Sequence, residues 1–205
     1  MSLDPKQHWE GIYQNKSPLE VSWYQREPGT SLALIDRAGA GVAAHIADIG
    51  GGASVLVDRL LARGYRRLTV VDLSGAALAV ARARLGAAAA QVTWVEDDVT
   101  AFVPAVPLDL WHDRACFHFF TDAALRARYV AALQRALRPG GHAIIAAFAP
   151  GGPLRCSNLD IVQYDAPKLA HELGRDFAHI ESVEENHRTP AGKDQLFGFH
   201  RFRRA

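Results

Sequence analysis

The sequence predicts an α/β protein built on a mostly parallel sheet with helices on both faces. Three observations carry that reading. Short apolar runs alternate with helical patterns from His45 onward, a glycine turn (Gly50-Gly-Gly52) follows the first of these runs, and an acidic residue, Asp72, closes the second.

Taken in order, the first strand covers His45 to Ile49, and the helix after it runs from Ser54 to Gly64, where glycine closes it. The second strand is Leu68 to Asp72. Ser74 caps a helix rich in alanine and arginine, Gly75 to Leu85, and the third strand is Val92 to Glu96. A fourth strand spans Asp109 to His112. A long helix from about Asp122 to Leu137 stops at Arg138-Pro-Gly-Gly141, a turn that feeds the fifth strand, His142 to Phe148. Asp165-Ala-Pro-Lys168 opens a further helix ending at Gly174. The last two apolar runs, Phe177 to Glu184 and Gln195 to Phe202, flank a polar loop and read as an antiparallel pair at the sheet edge. Residues 1 to about 30 differ in kind. Trp9, Tyr13, Trp23 and Tyr24 are spaced irregularly by polar residues and prolines, which reads as an aromatic cap or lid over the rest.

The 205 residues suit a single domain, 1–205, able to bury roughly 70% of its unfolded surface. Hydrophobic residues make up 49% and charged residues 22%, as in ordinary soluble proteins, and a formal net charge of +1 offers no electrostatic reason for binding nucleic acid or an anionic membrane. The expected partner is a small molecule. Two cysteines, Cys116 and Cys156, support neither a disulfide framework nor a zinc site, and the nine histidines are scattered without ligand spacing. Together with the absence of an apolar targeting core or membrane-length run, this places the expected location in the cytoplasm.

A strand that runs into a glycine turn and then a helix surrounds a ligand with backbone N–H groups and a helix start, while a carboxylate at the next strand end accepts hydrogen bonds from both hydroxyls of a ribose. His45-Ile-Ala-Asp-Ile-Gly-Gly-Gly-Ala-Ser54 and Thr69-Val-Val-Asp-Leu73 therefore read as a nucleoside-cofactor pocket. A dinucleotide-binding dehydrogenase shares this pattern. The antiparallel pair at the end of the chain argues against it.

From Asp48 onward the order of motifs resembles the class I methyltransferases that use S-adenosylmethionine. Asp48-Ile-Gly-Gly-Gly-Ala-Ser54 is similar to their first motif, with Ser54 where a third glycine is usual. Asp72 resembles their ribose acid, Glu96-Asp-Asp-Val99 their adenine-contacting turn, and Leu137-Arg-Pro-Gly-Gly141 the turn before their fifth strand. The resemblance implies a Rossmann-like, seven-stranded, mostly parallel sheet with an antiparallel edge strand. It also implies S-adenosylmethionine as cofactor, held by Asp48, Gly50, Gly52, Asp72, Leu73, Asp97, Asp98 and Val99. Asp98 is the expected adenine-amino contact, with the adjacent Asp97 as the alternative. Structural readings stand beside these: Asp48 as a cap on the turn, and the glycines as turn geometry alone.

A narrower likeness, to the thiopurine and related thiol or tellurite methyltransferases, rests on Leu110-Trp-His-Asp-Arg-Ala115, Arg126-Ala-Arg-Tyr129, Ile180-Glu-Ser-Val-Glu-Glu-Asn-His-Arg188, Gln195-Leu-Phe197 and the Trp9/Tyr13 start. Methyl transfer from a sulfonium is an in-line displacement that needs positioning and exclusion of water more than a dedicated base. A thiol acceptor is partly ionised near neutral pH, and a neighbouring arginine increases that fraction. The catalytic candidates are accordingly Asp113 and Arg114, with a structural bridge from Arg114 to Asp113 or Asp122 as the plain alternative. Trp23, Tyr24 and His118 are the substrate-side candidates, against the plain reading that they are packing. Cys156, in a glycine- and proline-rich loop, is expected to border the substrate without reacting. An amine-directed protein-lysine methyltransferase and a non-catalytic S-adenosylmethionine-binding protein remain as alternatives.

Overall fold

A computed structural model describes residues 4–205, so the first three residues of the expected 1–30 cap lie outside it. Seven strands form one sheet. In chain order they are β1 (His45–Ile49), β2 (Arg67–Asp72), β3 (Val92–Glu96), β4 (Leu108–Arg114), β5 (Leu137–Phe148), β8 (Phe177–Arg188) and β9 (Asp194–Arg204), and a small hairpin of β6 (Arg155–Cys156) and β7 (Leu159–Asp160) stands apart. Across the sheet the order is β3, β2, β1, β4, β5, β9, β8, with β1 to β5 parallel and β9 antiparallel to both of its neighbours.

Alternation along each strand sends successive side chains to opposite faces, and both faces are apolar because both are covered. On one face Ala47, Ile49, Trp111, Ile145 and Phe202 pack against Tyr129, Leu133 and Ala136 of α5 (Ala123–Ala136) and Leu169 and Leu173 of α6 (Ala166–Leu173). On the other face Ile46, Val70, Leu110, Ile144 and Phe199 meet Leu32 and Ile35 of α2 (Gly29–Arg37), Leu56 and Leu60 of α3 (Leu56–Ala62) and Leu78 of α4 (Gly75–Leu85). Local capping matches the sequence signals. Ser74 accepts the N–H of Ala77, Asp122 those of Ala124 and Leu125, and Asp165 that of Lys168.

Several details differ from the sequence reading, among them that β5 starts at Leu137 and so takes in the expected Arg138–Gly141 turn, and that α2 lies where the sequence reading places no helix. The helix expected from Ser54 begins at Leu56, because Ser54 belongs to the turn and its hydroxyl accepts the Leu56 N–H. β4 continues two residues past His112, since pairing with β1 carries Asp113 and pairing with β5 carries Arg114 into the sheet. β8 and β9 also run longer than their apolar cores, held by the ladder between them. Finally, the N-terminal segment is not irregular. Asp4 caps a helix, α1 (Pro5–Asn15), that puts Trp9, Ile12 and Tyr13 on one side at helical spacing.

Candidate functional site

The carboxyl ends of β1 to β4 come together at one edge of the sheet, the place where open α/β sheets receive ligands. The glycine turn leaves β1 there. The N–H of Gly50 donates to the carbonyl of Val71 at 2.8 Å, tying the turn to the end of β2. Gly50 and Gly52 both have positive φ, 64° and 41°, which glycine adopts without strain. A Cβ on Gly52 would stand 2.8 Å from Oδ2 of Asp72, and one on Gly51 only 2.6 Å from Oδ2 of Asp48. The turn and both carboxylates therefore bound the same space.

Asp48 is buried, and its Oδ1 lies 2.8 Å from Nδ1 of His112, whose Nε2 is 2.9 Å from the Ser31 hydroxyl on α2. Its other oxygen, Oδ2, has no partner among the described residues. Buried polar atoms without partners are costly, and this one borders the cleft, where it can accept from a donor such as an amino group. Asp72 accepts the Ser74 N–H at 2.8 Å. Burial lifts its pKa to about 7, assisted by the negative charges of Asp48 and Glu10 and opposed by the Ser74 N–H. Leu73 sits half-buried between Asp72 and the Ser74 cap. The N–H of Asp97 donates to the Asp72 carbonyl, which brings the turn after β3 alongside. In that turn the exposed Asp97 accepts the Asp98 N–H, Asp98 accepts the Thr100 N–H, and Val99 is buried in the core. An orphaned Asp48 oxygen, a glycine cradle with no room for a Cβ and a carboxylate at the end of β2 fit the amino, backbone-facing and ribose parts of S-adenosylmethionine.

Beyond the turn, a cleft with about 590 Å³ of empty space, its open mouth included, is lined by Asp48, Gly50, Gly51, Ser54, His112, Arg114, Tyr13, Trp23 and Tyr24. Trp23 and Tyr24 thus stand in the cleft wall. The indole of Trp23 donates to the Tyr13 hydroxyl at 3.0 Å and packs edge-on against Trp9, which in turn meets Phe119. The segment is pinned elsewhere too. Lys6 pairs with Glu96 at 2.6 Å, Glu10 accepts the N–H groups of Gly75 and Ala76 at the start of α4, and His8 approaches the Ser157 hydroxyl at 3.2 Å.

The structure separates the two catalytic candidates. Arg114 faces the cleft. Asp113, one residue earlier on β4, faces the opposite layer, where its carboxylate accepts the Cys116 and Phe117 N–H groups and the Tyr129 hydroxyl. Burial raises its pKa to about 6 while the Tyr129 hydroxyl opposes the shift. Its role is to hold the turn after β4, and strand alternation rules out contact with the cleft. Neither bridge expected for Arg114 forms, because Asp113 points away and Asp122 caps α5. His118 is fully buried behind the cleft wall against Phe119 and Phe148, and its pKa is depressed to about 3, first by burial and then by the charge of Arg114. Cys156 is buried in the β6–β7 hairpin, and burial raises its thiol to about 12. Sequence reasoning did not single out Ser31, Glu10 or the Asp48–His112 pairing, since each depends on contacts between distant segments. Only the position of His112, two residues before Arg114 on the same strand face, hinted at its place.

Residues 46–141 match the family model described as "Methyltransferase domain". No curated protein matches the chain in sequence. Among solved structures, it is similar to one described by the conversion of a disulfide bond into a thioacetal group during echinomycin biosynthesis, with 21% identity, TM-score 0.79, and 98% of this chain and 92% of that one covered. The N-methyltransferase NodS of Bradyrhizobium japonicum WM9, solved with S-adenosyl-L-homocysteine, has 20% identity and TM-score 0.73 over 98% of this chain and 99% of that one. The 1,6-didemethyltoxoflavin-N1-methyltransferase of Burkholderia thailandensis has 22% identity and TM-score 0.69, covering 98% and 84%. At these identities the structural likenesses show the fold, and the family model matches the central segment that holds the glycine turn and Asp72. Over residues 46–141, just under half of its length, the chain is similar to the family described as a methyltransferase domain, on a fold shared with the solved methyltransferases.

Proposed function

We propose that the protein methylates a small-molecule acceptor, with a thiol or similarly soft nucleophile as the acceptor atom. The observation that carries this reading is the cleft itself, which opens from the glycine turn and is walled by the aromatic side chains of Tyr13, Trp23 and Tyr24. Residues 4–30 act as its lid. In this reading Asp72 accepts the ribose hydroxyls, Asp98 the adenine amino group, and Asp48 Oδ2 the amino group of the methionine part. S-adenosylmethionine supplies an electrophilic methyl group when bound.

A soft acceptor is favoured by the bases on hand. His112 is engaged at both ring nitrogens, Asp113 is turned away, and His118 lies behind the wall, so the cleft suits a nucleophile that ionises by itself. The neighbour with the 0.79 TM-score is described by chemistry at a disulfide, which agrees. A second reading, an amine acceptor, is supported by the N-methyltransferases among the structural neighbours. The discriminating experiment is release of S-adenosylhomocysteine with matched panels of thiols, selenols and small amines. Turnover is expected with the first two classes. Turnover with amines alone would replace the thiol reading, and cofactor binding without release from any panel member would leave a binding protein.

A further inference from the structure

Arg114 stands where β4 ends, on the strand face that carries His112, and lines the cleft just beyond the glycine turn. Its side chain is only 10% exposed. One nitrogen, Nη1, donates to the Trp23 carbonyl at 2.9 Å, and the plane of the guanidinium is fixed by stacking 4.4 Å from the ring centre of Phe197. The other edge is different. Nε and Nη2 are both buried and have no hydrogen-bond partner among the described residues. The nearest carboxylate, Glu185, is 3.9 Å from Nη2, outside hydrogen-bond reach, and is already engaged by the Gln25 amide at 2.8 Å. Burial pulls the arginine pKa down to about 10, with Glu185 only partly offsetting it, so the group remains a cation at neutral pH.

A buried cation with two parallel N–H donors left over is unfavourable by itself, because neither donor recovers the hydrogen bond it gave up in water. The Nε–Nη2 edge is the side-on fork that matches the two oxygens of a carboxylate. Surrounding groups leave no cation to compete for such an anion. His118 and His187 both have their pKa values lowered by burial and by Arg114 itself, so they are neutral. The Trp23 carbonyl on Nη1 belongs to the covering segment, so the guanidinium is tied to that segment by a direct hydrogen bond.

We propose that the acceptor carries a carboxylate and that the Nε–Nη2 edge of Arg114 holds it side-on, anchoring the acceptor with its nucleophile toward the glycine turn. The proposal rests on the methyl-transfer reading above and adds to it a charge requirement on the substrate. Arg114 is then a specificity residue, rejecting neutral isosteres because they leave the buried fork unpaired.

The test uses the full chain saturated with S-adenosylhomocysteine and calorimetric titration of matched pairs: thiosalicylate against 2-mercaptobenzamide, and 3-mercaptopropionate against 3-mercaptopropionamide. Each carboxylate is expected to bind at least about tenfold tighter than its amide, as loss of a charge-assisted bidentate contact would give. Arg114→Gln should level the two members of each pair. Glu185→Gln, which removes the nearest competing carboxylate, should strengthen carboxylate binding and leave amide binding alone, so the proposal stays testable if the arginine variant does not fold. Equal or tighter binding of the amides to the unmutated protein, or no binding of either carboxylate, overturns the proposal. Failure of S-adenosylhomocysteine itself to bind is a separate result that brings down the methyl-transfer reading, and the proposal with it.

Discussion

Asp113 and Arg114 are neighbours on one strand, yet they belong to two different regions of the molecule. Asp113 points into the layer under α5, where two N–H groups and a tyrosine hydroxyl satisfy its carboxylate. Arg114 points into the cleft, where two of its donors stay unpaired. Beside the glycine turn, Asp48 Oδ2 and the Arg114 fork are left open. Because unpaired buried polar atoms cost stability, the pair of neighbours contrasts a carboxylate engaged in maintaining the fold with a cation whose donors are left over at the cleft.

That comparison can be broken most sharply at Asp113. Replacing it by alanine strands three buried donors, and chemical denaturation should show a loss of about 3 kcal/mol or more, while the folded fraction keeps its affinity for S-adenosylhomocysteine. A stable variant with weakened cofactor binding would move Asp113 to the ligand side. Asp72→Ala should do the reverse. Calorimetry is expected to show S-adenosylmethionine binding weakened by about 1.5 to 3 kcal/mol, from loss of charge-assisted hydrogen bonds, with little change in the denaturation midpoint. Full affinity in that variant would remove the cofactor assignment.

A smaller effect follows from the raised pKa of Asp72. In the proposed reading its carboxylate accepts ribose hydroxyls best when ionised, so cofactor affinity should rise about tenfold between about pH 6 and about pH 8 and flatten in Asp72→Asn. Stability of the unliganded protein moves the other way. A carboxyl whose folded pKa, about 7, exceeds its unfolded value of 3.8 binds its proton more tightly in the folded state. Its contribution to stability is therefore complete below the unfolded value and is lost as the pH rises through about 7. Parallel pH dependence of binding and stability would contradict the assignment of the shift to this group.

Much of the fold was legible because its signals are local. Ser74, Asp122 and Asp165 announce helix starts within a few residues, and the runs ending at Ile49, Asp72 and Glu96 carry their own strand pattern. α1 was missed although Asp4-Pro5 and the Trp9, Ile12, Tyr13 spacing were present in the chain. Aromatic side chains separated by polar residues read as irregular when no partner surface is known, and α1 buries no residue completely. α2 had no capping side chain to mark it and is held by packing on β5 and β9. The choice between Asp113 and Arg114 depended on the phase of β4, which the apolar run alone does not fix, because both faces of a covered sheet are hydrophobic.

What the sequence alone determined is the set of local pieces: a strand, a turn that only small residues can make, and an acid at the end of the next strand each follow from short-range geometry. What the tertiary structure decided is which polar groups stay unpaired. Asp113, Asp48 and Arg114 each have a partner 16 to 91 residues away in the chain, Tyr129, His112 and Trp23 respectively, and hydrogen-bond pairing at that range exists only once the chain is folded.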